Sequence, residues 1–271
     1  MTRGAGPIQL ENPIADGIVQ HEFSSSFDES PQTFLEKDFC QTAPTGERLV
    51  FIYLHGAQSH QEQGMTAGIY SGAFERWGEE LARRSAVHIC PEYRGNSWMG
   101  PAAEADLQDI IRMVNQRYPG RRLILAGGSM GGTSALIFAS RFPMAMDGVI
   151  ALCPATDPVE FFNSLPNHFL ESYGLIESYG GSPEEVPRIY SDRTSRDRAD
   201  ALAALPVAII HGSSDAIISV EHSRILVRRL LARGARCHYT ELPEGDHDAP
   251  IHVPLSELLD FVIPTKAPEQ G

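Results

Sequence analysis

The sequence predicts a mostly parallel α/β sheet with helices on both faces. Three observations carry that reading. From residue 48 onward, short β-rich runs alternate with segments of helical period. Several of these runs, such as residues 48–54 (RLVFIYL), are apolar throughout, as in a strand covered on both sides. Apolar runs also stop after about half a dozen residues, far short of the ~20 a bilayer span needs.

In chain order, residues 17–25 and 32–40 flank a polar stretch and are expected to form an antiparallel hairpin. Residues 1–16, with two Gly and two Pro, are expected to be loose, as is the tail 264–271. Residues 48–54 form the third strand. Residues 72–84 put Phe74, Trp77 and Leu81 on one helical face. A strand follows over 86–90. Residues 102–118 repeat apolar positions at helical spacing, and Pro119-Gly120 ends that helix. Residues 122–126 (RLILA) form a strand, 130–141 a helix and 148–153 (GVIALC) the sixth strand. The alternation then breaks. Residues 154–205 are rich in Phe, Tyr, Pro and Glu and predict short helices and loops. It resumes with strands at 206–210 and 236–241 and helices at 220–233 and 254–262. The expectation is one domain over 1–271. It has an eight-stranded sheet and a small helical cap inserted after the sixth strand, about residues 155–205.

Composition excludes several classes of function. The chain of 271 residues is 42% hydrophobic and 21% charged, the balance of a globular protein. Its formal charge of −13, with isolated basic pairs such as Arg83-Arg84 and no basic stripe, speaks against nucleic acid and anionic membranes as partners. Four cysteines, at 40, 90, 153 and 237, show no CxxC spacing, so no metal site is expected and free thiols are. Residues 1–10 lack an apolar stretch after a basic start. A cytoplasmic location is the expectation that follows.

The chemistry concentrates in Gly127-Gly128-Ser129-Met130-Gly131, a G-x-S-x-G between a buried strand and a helix. That context is a nucleophile elbow. Small residues two before and two after the serine allow the tight turn, and the Met130 amide at the helix start is aimed where an oxyanion forms. A serine hydroxyl needs a general base, and the base needs an orienting carboxylate. Among ten histidines, His247 lies in a polar turn after the last strand, with His252 as runner-up. His55 and His211 end strands before glycines and are expected to be structural. Asp215, on the loop after 206–210, is the candidate acid, and Asp157, after the sixth strand, is its rival. The loop at 54–58 (LHGAQ) can supply the second oxyanion donor, from Ala57 or from Gln58, with Ala57 favoured as the residue directly after His-Gly. Candidates to line the substrate pocket are Gln58, Tyr93, Trp98, Phe162 and Phe169. The aromatics of the insertion, Phe161, Phe162 and Phe169 among them, could equally pack the cap onto the body. Arg94 is expected to fix its loop by a salt bridge.

These motifs can be set beside a known family. With PEYRGNSWMG (91–100), IIHGSSDAIISVEHS (209–223) and LPEGDHD (242–248), residues 48–262 resemble an α/β-hydrolase. The nearer likeness is to the catalytic domain of the prolyl-oligopeptidase-like group and its small esterase relatives. The resemblance implies that Ser129 is nucleophile, Asp215 orients, His247 is base, and Met130 with the Ala57 region forms the oxyanion hole. It implies no cofactor. Two departures stand out. The forty-odd residues before the third strand cannot encode the β-propeller of the oligopeptidases, and HGAQ is not the His-Gly-Gly-Gly of the hormone-sensitive-lipase group. The expected activity is therefore hydrolysis of small carboxylic esters through an acyl-enzyme. An aminopeptidase or amidase, or a non-hydrolytic binder on the same fold, are the alternatives.

Overall fold

The structure, a computed structural model, describes residues 11–15, 17–40, 48–65, 70–166 and 173–263. The strands are β1 (Glu11–Ala15), β2 (Ile18–Ser24), β3 (Pro31–Asp38), β4 (Leu49–Leu54), β5 (Val87–Pro91), β6 (Arg122–Gly128), β7 (Gly148–Leu152), β8 (Val207–Gly212) and β9 (Cys237–Leu242). They form one sheet in the order β1-β2-β3-β5-β4-β6-β7-β8-β9. All eight expected strands are present. The ninth, β1, falls in the stretch expected to be loose, where it pairs antiparallel with β2, Glu11 opposite His21. The three junctions among β1, β2, β3 and β5 are antiparallel and the five from β5 to β9 parallel.

The parallel strands are apolar because both faces are covered. On β4, Val50, Ile52 and Leu54 join the core beneath α2 (Pro101–Arg117) and α3 (Met130–Arg141). Leu49, Phe51 and Tyr53 join the core beneath α1 (Ser71–Arg83). Between β7 and β8 come α4 (Pro158–Ser164), α5 (Leu175–Tyr179), α6 (Pro187–Asp192) and α7 (Ala199–Leu202). After β8 come α8 (Glu221–Leu231) and α9 (Leu255–Val262). No helix among the described residues is long and apolar enough to cross a membrane.

The strand order locates the site. From β4 the chain steps one way to β5, then crosses back to β6 on the other side. The loops after β4 and β6 diverge there and leave a crevice at the carboxyl edge, where open α/β sheets bind ligands. Ser129 follows β6 and Ala57 follows β4.

The register also separates Cys40 from Cys90. β3 and β5 run antiparallel with Leu35 opposite Cys90 and Asp38 opposite Val87, so Cys40 lies beyond the far end of β5. No disulfide joins any of the four cysteines.

Candidate active site

Ser129 sits between β6 and α3 with φ 56° and ψ −121°, a conformation that L-residues avoid. Its amide donates to Leu152 O at 2.9 Å, and its carbonyl accepts from Thr133 N at 2.9 Å. The turn closes so tightly that a Cβ on Gly127 would lie 2.3 Å from the Gly131 carbonyl carbon. That contact explains the small residues on either side of the serine. Met130 opens α3, so its N–H belongs to the first helical turn, which has no intrahelical acceptor.

His247 and Asp215 reach the serine from separate loops. His247 Nε2 lies 2.9 Å from Ser129 Oγ, and Nδ1 lies 2.7 Å from Asp215 Oδ2. The loop carrying His247 packs on the end of β8, where a Cβ on Gly212 would meet Asp246 O at 2.2 Å. Backbone bonds from Ser213 N to Leu242 O and from Ser214 N to Gly245 O fix the same approach. Asp215 is locked in place: its Oδ1 accepts from the amides of Ile217 and Ile218 at 2.8 and 2.9 Å. Its carboxylate is fully buried, yet ionised. Burial opposes the charge, but hydrogen bonds from His211, His247 and the Ile218 amide outweigh it and hold the carboxyl well below its usual range. Burial likewise works against charge on His247, and the contacts with Asp215 and Cys153 reverse this and raise the imidazole above its ordinary value.

The loop after β4 presents three consecutive amides. Gly56 N donates to Gln63 Oε1 at 2.8 Å, and Gln58 N donates to Asn96 Oδ1 at 2.6 Å. Among the described residues the Ala57 amide makes no hydrogen bond, and Ala57 lines the cavity in front of Ser129. Its neighbours' amides are committed and its own is free, which favours Ala57 over Gln58 as an oxyanion donor.

His55 is buried, with its ring nitrogens 2.8 Å from Gly56 O and 3.0 Å from Glu92 O. It ties the β4 loop to the β5 loop. His252 is exposed on the turn Ala249–His252 and does not line the cavity. Asp157 caps α4, its Oδ1 accepting from Val159 N and Glu160 N, and it pairs with Arg196.

The cavity measures about 260 Å³. Of the residues expected to bind substrate, Gln58 lines it. Tyr93 and Trp98 do not: both are fully buried. The Tyr93 hydroxyl donates to His55 O at 2.6 Å, and Trp98 Nε1 donates to Tyr173 O at 2.6 Å. Trp98 also stacks near Phe161, with ring centroids 4.9 Å apart, so these aromatics join the insertion to the body. Phe162 is half-buried against Tyr190 and outside the cavity, and Phe169 lies outside the described residues. Arg94 does fix its loop, bonding Asp106 and Asp28 at 2.6 Å each.

Two further residues reach the site. His211 lies 3.2 Å from Asp215 Oδ2, and the i,i+4 spacing of HGSSD was the available clue. Cys153, at φ 41°, donates its thiol to His247 O at 3.3 Å. Cys153, Asp215 and His247 bring ligand-type atoms within 4.8 Å of one another. However, the His247 nitrogens and Asp215 oxygens already hold Ser129, each other and backbone amides, so the donor set does not suit a metal.

A family model described as the alpha/beta hydrolase fold matches residues 50–179. This match and the sheet order both support an α/β-hydrolase superfamily member. The uncharacterised peptidase YtmA of Bacillus subtilis is 26% identical over 202 residues, 70% of this chain and 72% of that one. An uncharacterised secreted protein of Arthroderma benhamiae is 30% identical over 230 residues, 80% of this chain but only 23% of that protein. Among solved structures, the fluorophosphonate-binding serine hydrolase FphF of Staphylococcus aureus superposes with a TM-score of 0.68 at 16% identity, covering 90% of this chain and 97% of that one.

Proposed function

We propose that the protein is a serine hydrolase of small carboxylic esters. The observation that carries this is the continuous hydrogen-bonded chain from Ser129 Oγ through His247 to the buried Asp215, opening on a cavity that Ala57 also lines. In this reading His247 Nε2 takes the Ser129 proton as Oγ attacks the ester carbonyl. The amides of Met130 and Ala57 hold the oxyanion. The C–O bond to the leaving alcohol then breaks, and His247 returns the proton to the departing oxygen. Water, deprotonated by the same imidazole, hydrolyses the acyl-enzyme and regenerates Ser129. Asp215 holds the imidazole orientation and stabilises the imidazolium, and His211 is a positioning residue for Asp215.

Peptide or amide cleavage is the second reading, supported by the relative named a peptidase. Residues 155–205 act as a cap in both readings, and a reducing, cytoplasmic setting fits four cysteines that no disulfide joins. Turnover of nitrophenyl esters of graded acyl length, measured beside aminoacyl anilides, separates the readings. Ester turnover exceeding anilide turnover supports the first. The reverse order supports the second, and acylation without release marks a binder. Titration of the denatured, unreduced protein is expected to count four thiols, and a count of two would contradict the reducing compartment.

A further inference from the structure

The walls of the cavity carry more information than its volume. Three tyrosines line it, Tyr53, Tyr70 and Tyr173, together with one carboxylate, Asp248. No lysine or arginine is among its lining residues. Asp248 makes no ion pair among the described residues. It opens the turn Ala249–His252 without capping it, and its Oδ1 instead accepts the Tyr70 hydroxyl at 2.6 Å. Burial and the neighbouring carboxylate push the Tyr70 ionisation above its usual value, so Tyr70 stays a donor. The site thus presents an uncompensated negative charge among electron-rich rings, in a protein whose net charge is −13. That combination attracts organic cations, because an ammonium gains both charge pairing and ring-face attraction.

Position adds direction. His247 must deliver its proton to the leaving oxygen, so the alcohol portion of the ester departs beside the imidazole. Asp248 is the next residue and lines the same cavity. Trp98, Phe161 and Tyr179 are buried and do not line this cavity.

We propose that Asp248, with the tyrosines around it, selects esters whose leaving alcohol carries an ammonium group, that is, esters of amino alcohols. The inference rests on the esterase reading and adds the substrate class. The reaction balances as above: the ester C–O bond breaks, the acyl group passes to Ser129 and then to water, and the amino alcohol leaves with the proton from His247.

The test compares butyrylcholine with 3,3-dimethylbutyl butyrate, which replaces the quaternary nitrogen by carbon. Wild-type kcat/KM is expected to favour the cationic ester by roughly tenfold, the value of one partly desolvated contact of a quaternary ammonium with carboxylate and ring. The ratio is expected to fall toward one in Asp248→Asn, to persist in Asp248→Glu, and to shrink as ionic strength rises. A purely structural role would move both substrates together and leave the ratio unchanged. A second measurement needs no turnover. Calorimetry on the Ser129→Ala protein is expected to show choline binding about tenfold tighter than 3,3-dimethylbutanol. Equal wild-type rates for the two esters, an unchanged ratio in folded Asp248→Asn, or equal binding of the two alcohols would each overturn the proposal. If neither ester is hydrolysed but choline still binds preferentially, the esterase reading fails and the cation site stands.

Discussion

Two aspartates at the same edge of the sheet, Asp157 after β7 and Asp215 after β8, look alike locally and differ in what they reach. Each uses Oδ1 to accept two backbone amides just ahead of it in the chain: Val159 and Glu160 for Asp157, Ile217 and Ile218 for Asp215. Each has Oδ2 left for a distant partner. For Asp157 that partner is the Arg196 guanidinium, and for Asp215 it is the imidazole of His247, with His211 alongside. The local turn is the same; the loop that the fold delivers to the second oxygen decides the role. At β8, Gly212 lets the 242–247 loop close directly on the strand end. At β7 the chain enters the insertion and meets its basic side chains instead.

The largest effect that follows is at Ser129. Ser129→Ala is expected to lower kcat by about 10⁶ with an unchanged melting temperature, since Ala tolerates the same turn. Retention of even a tenth of the activity would remove the serine from the chemistry. Asp215→Asn is expected to cost about 10⁴ in kcat. It also carries a pH signature. The base works only when neutral, so activity is lost as pH falls through the His247 pKa, which the folded protein raises. Removing the Asp215 charge lowers that pKa, so the acid limb of kcat/KM moves to lower pH in the variant. An unmoved limb would mean the carboxylate does not set the imidazole.

On the other side of the comparison, effects are expected in stability rather than rate. Phe161→Ala removes a buried ring of α4 that packs on Trp98 and Tyr173, and is expected to cost about 3–5 kcal/mol in unfolding free energy. Selectivity among esters changes little by comparison. Asp157→Asn is the smallest. It weakens one cap and one ion pair, about 1–2 kcal/mol, and changes kcat by less than about tenfold. Denaturant midpoints and rates measured on the same preparations read both.

Much of this was legible beforehand, and the exceptions have physical causes. The elbow, the strand alternation and the order Ser129, Asp215, His247 are written in local patterns with their own steric logic. β1 was not, because ENPIA holds a proline and looks like loop until β2 offers it a partner. Sequence position alone puts Tyr93 and Trp98 at the pocket, because their loop follows a strand at the catalytic edge. The backbone instead turns inward at residues with positive φ, Tyr93, Arg94, Trp98 and Met99, none of them glycine. Such turns leave no signal in residue type. Tyr70 and Asp248 are 178 positions apart, and only the fold shows that they meet.

The central claim is that one serine is activated through Asp215 and not through Asp157. Covalent labelling by a fluorophosphonate, followed by peptide mapping and rate measurement in three proteins, tests it most directly. The wild type is expected to carry a single adduct on Ser129. Asp215→Asn is expected to label far more slowly, and Asp157→Asn at close to the wild-type rate. An adduct on any other residue, or Asp157→Asn as the slow variant, would contradict the account.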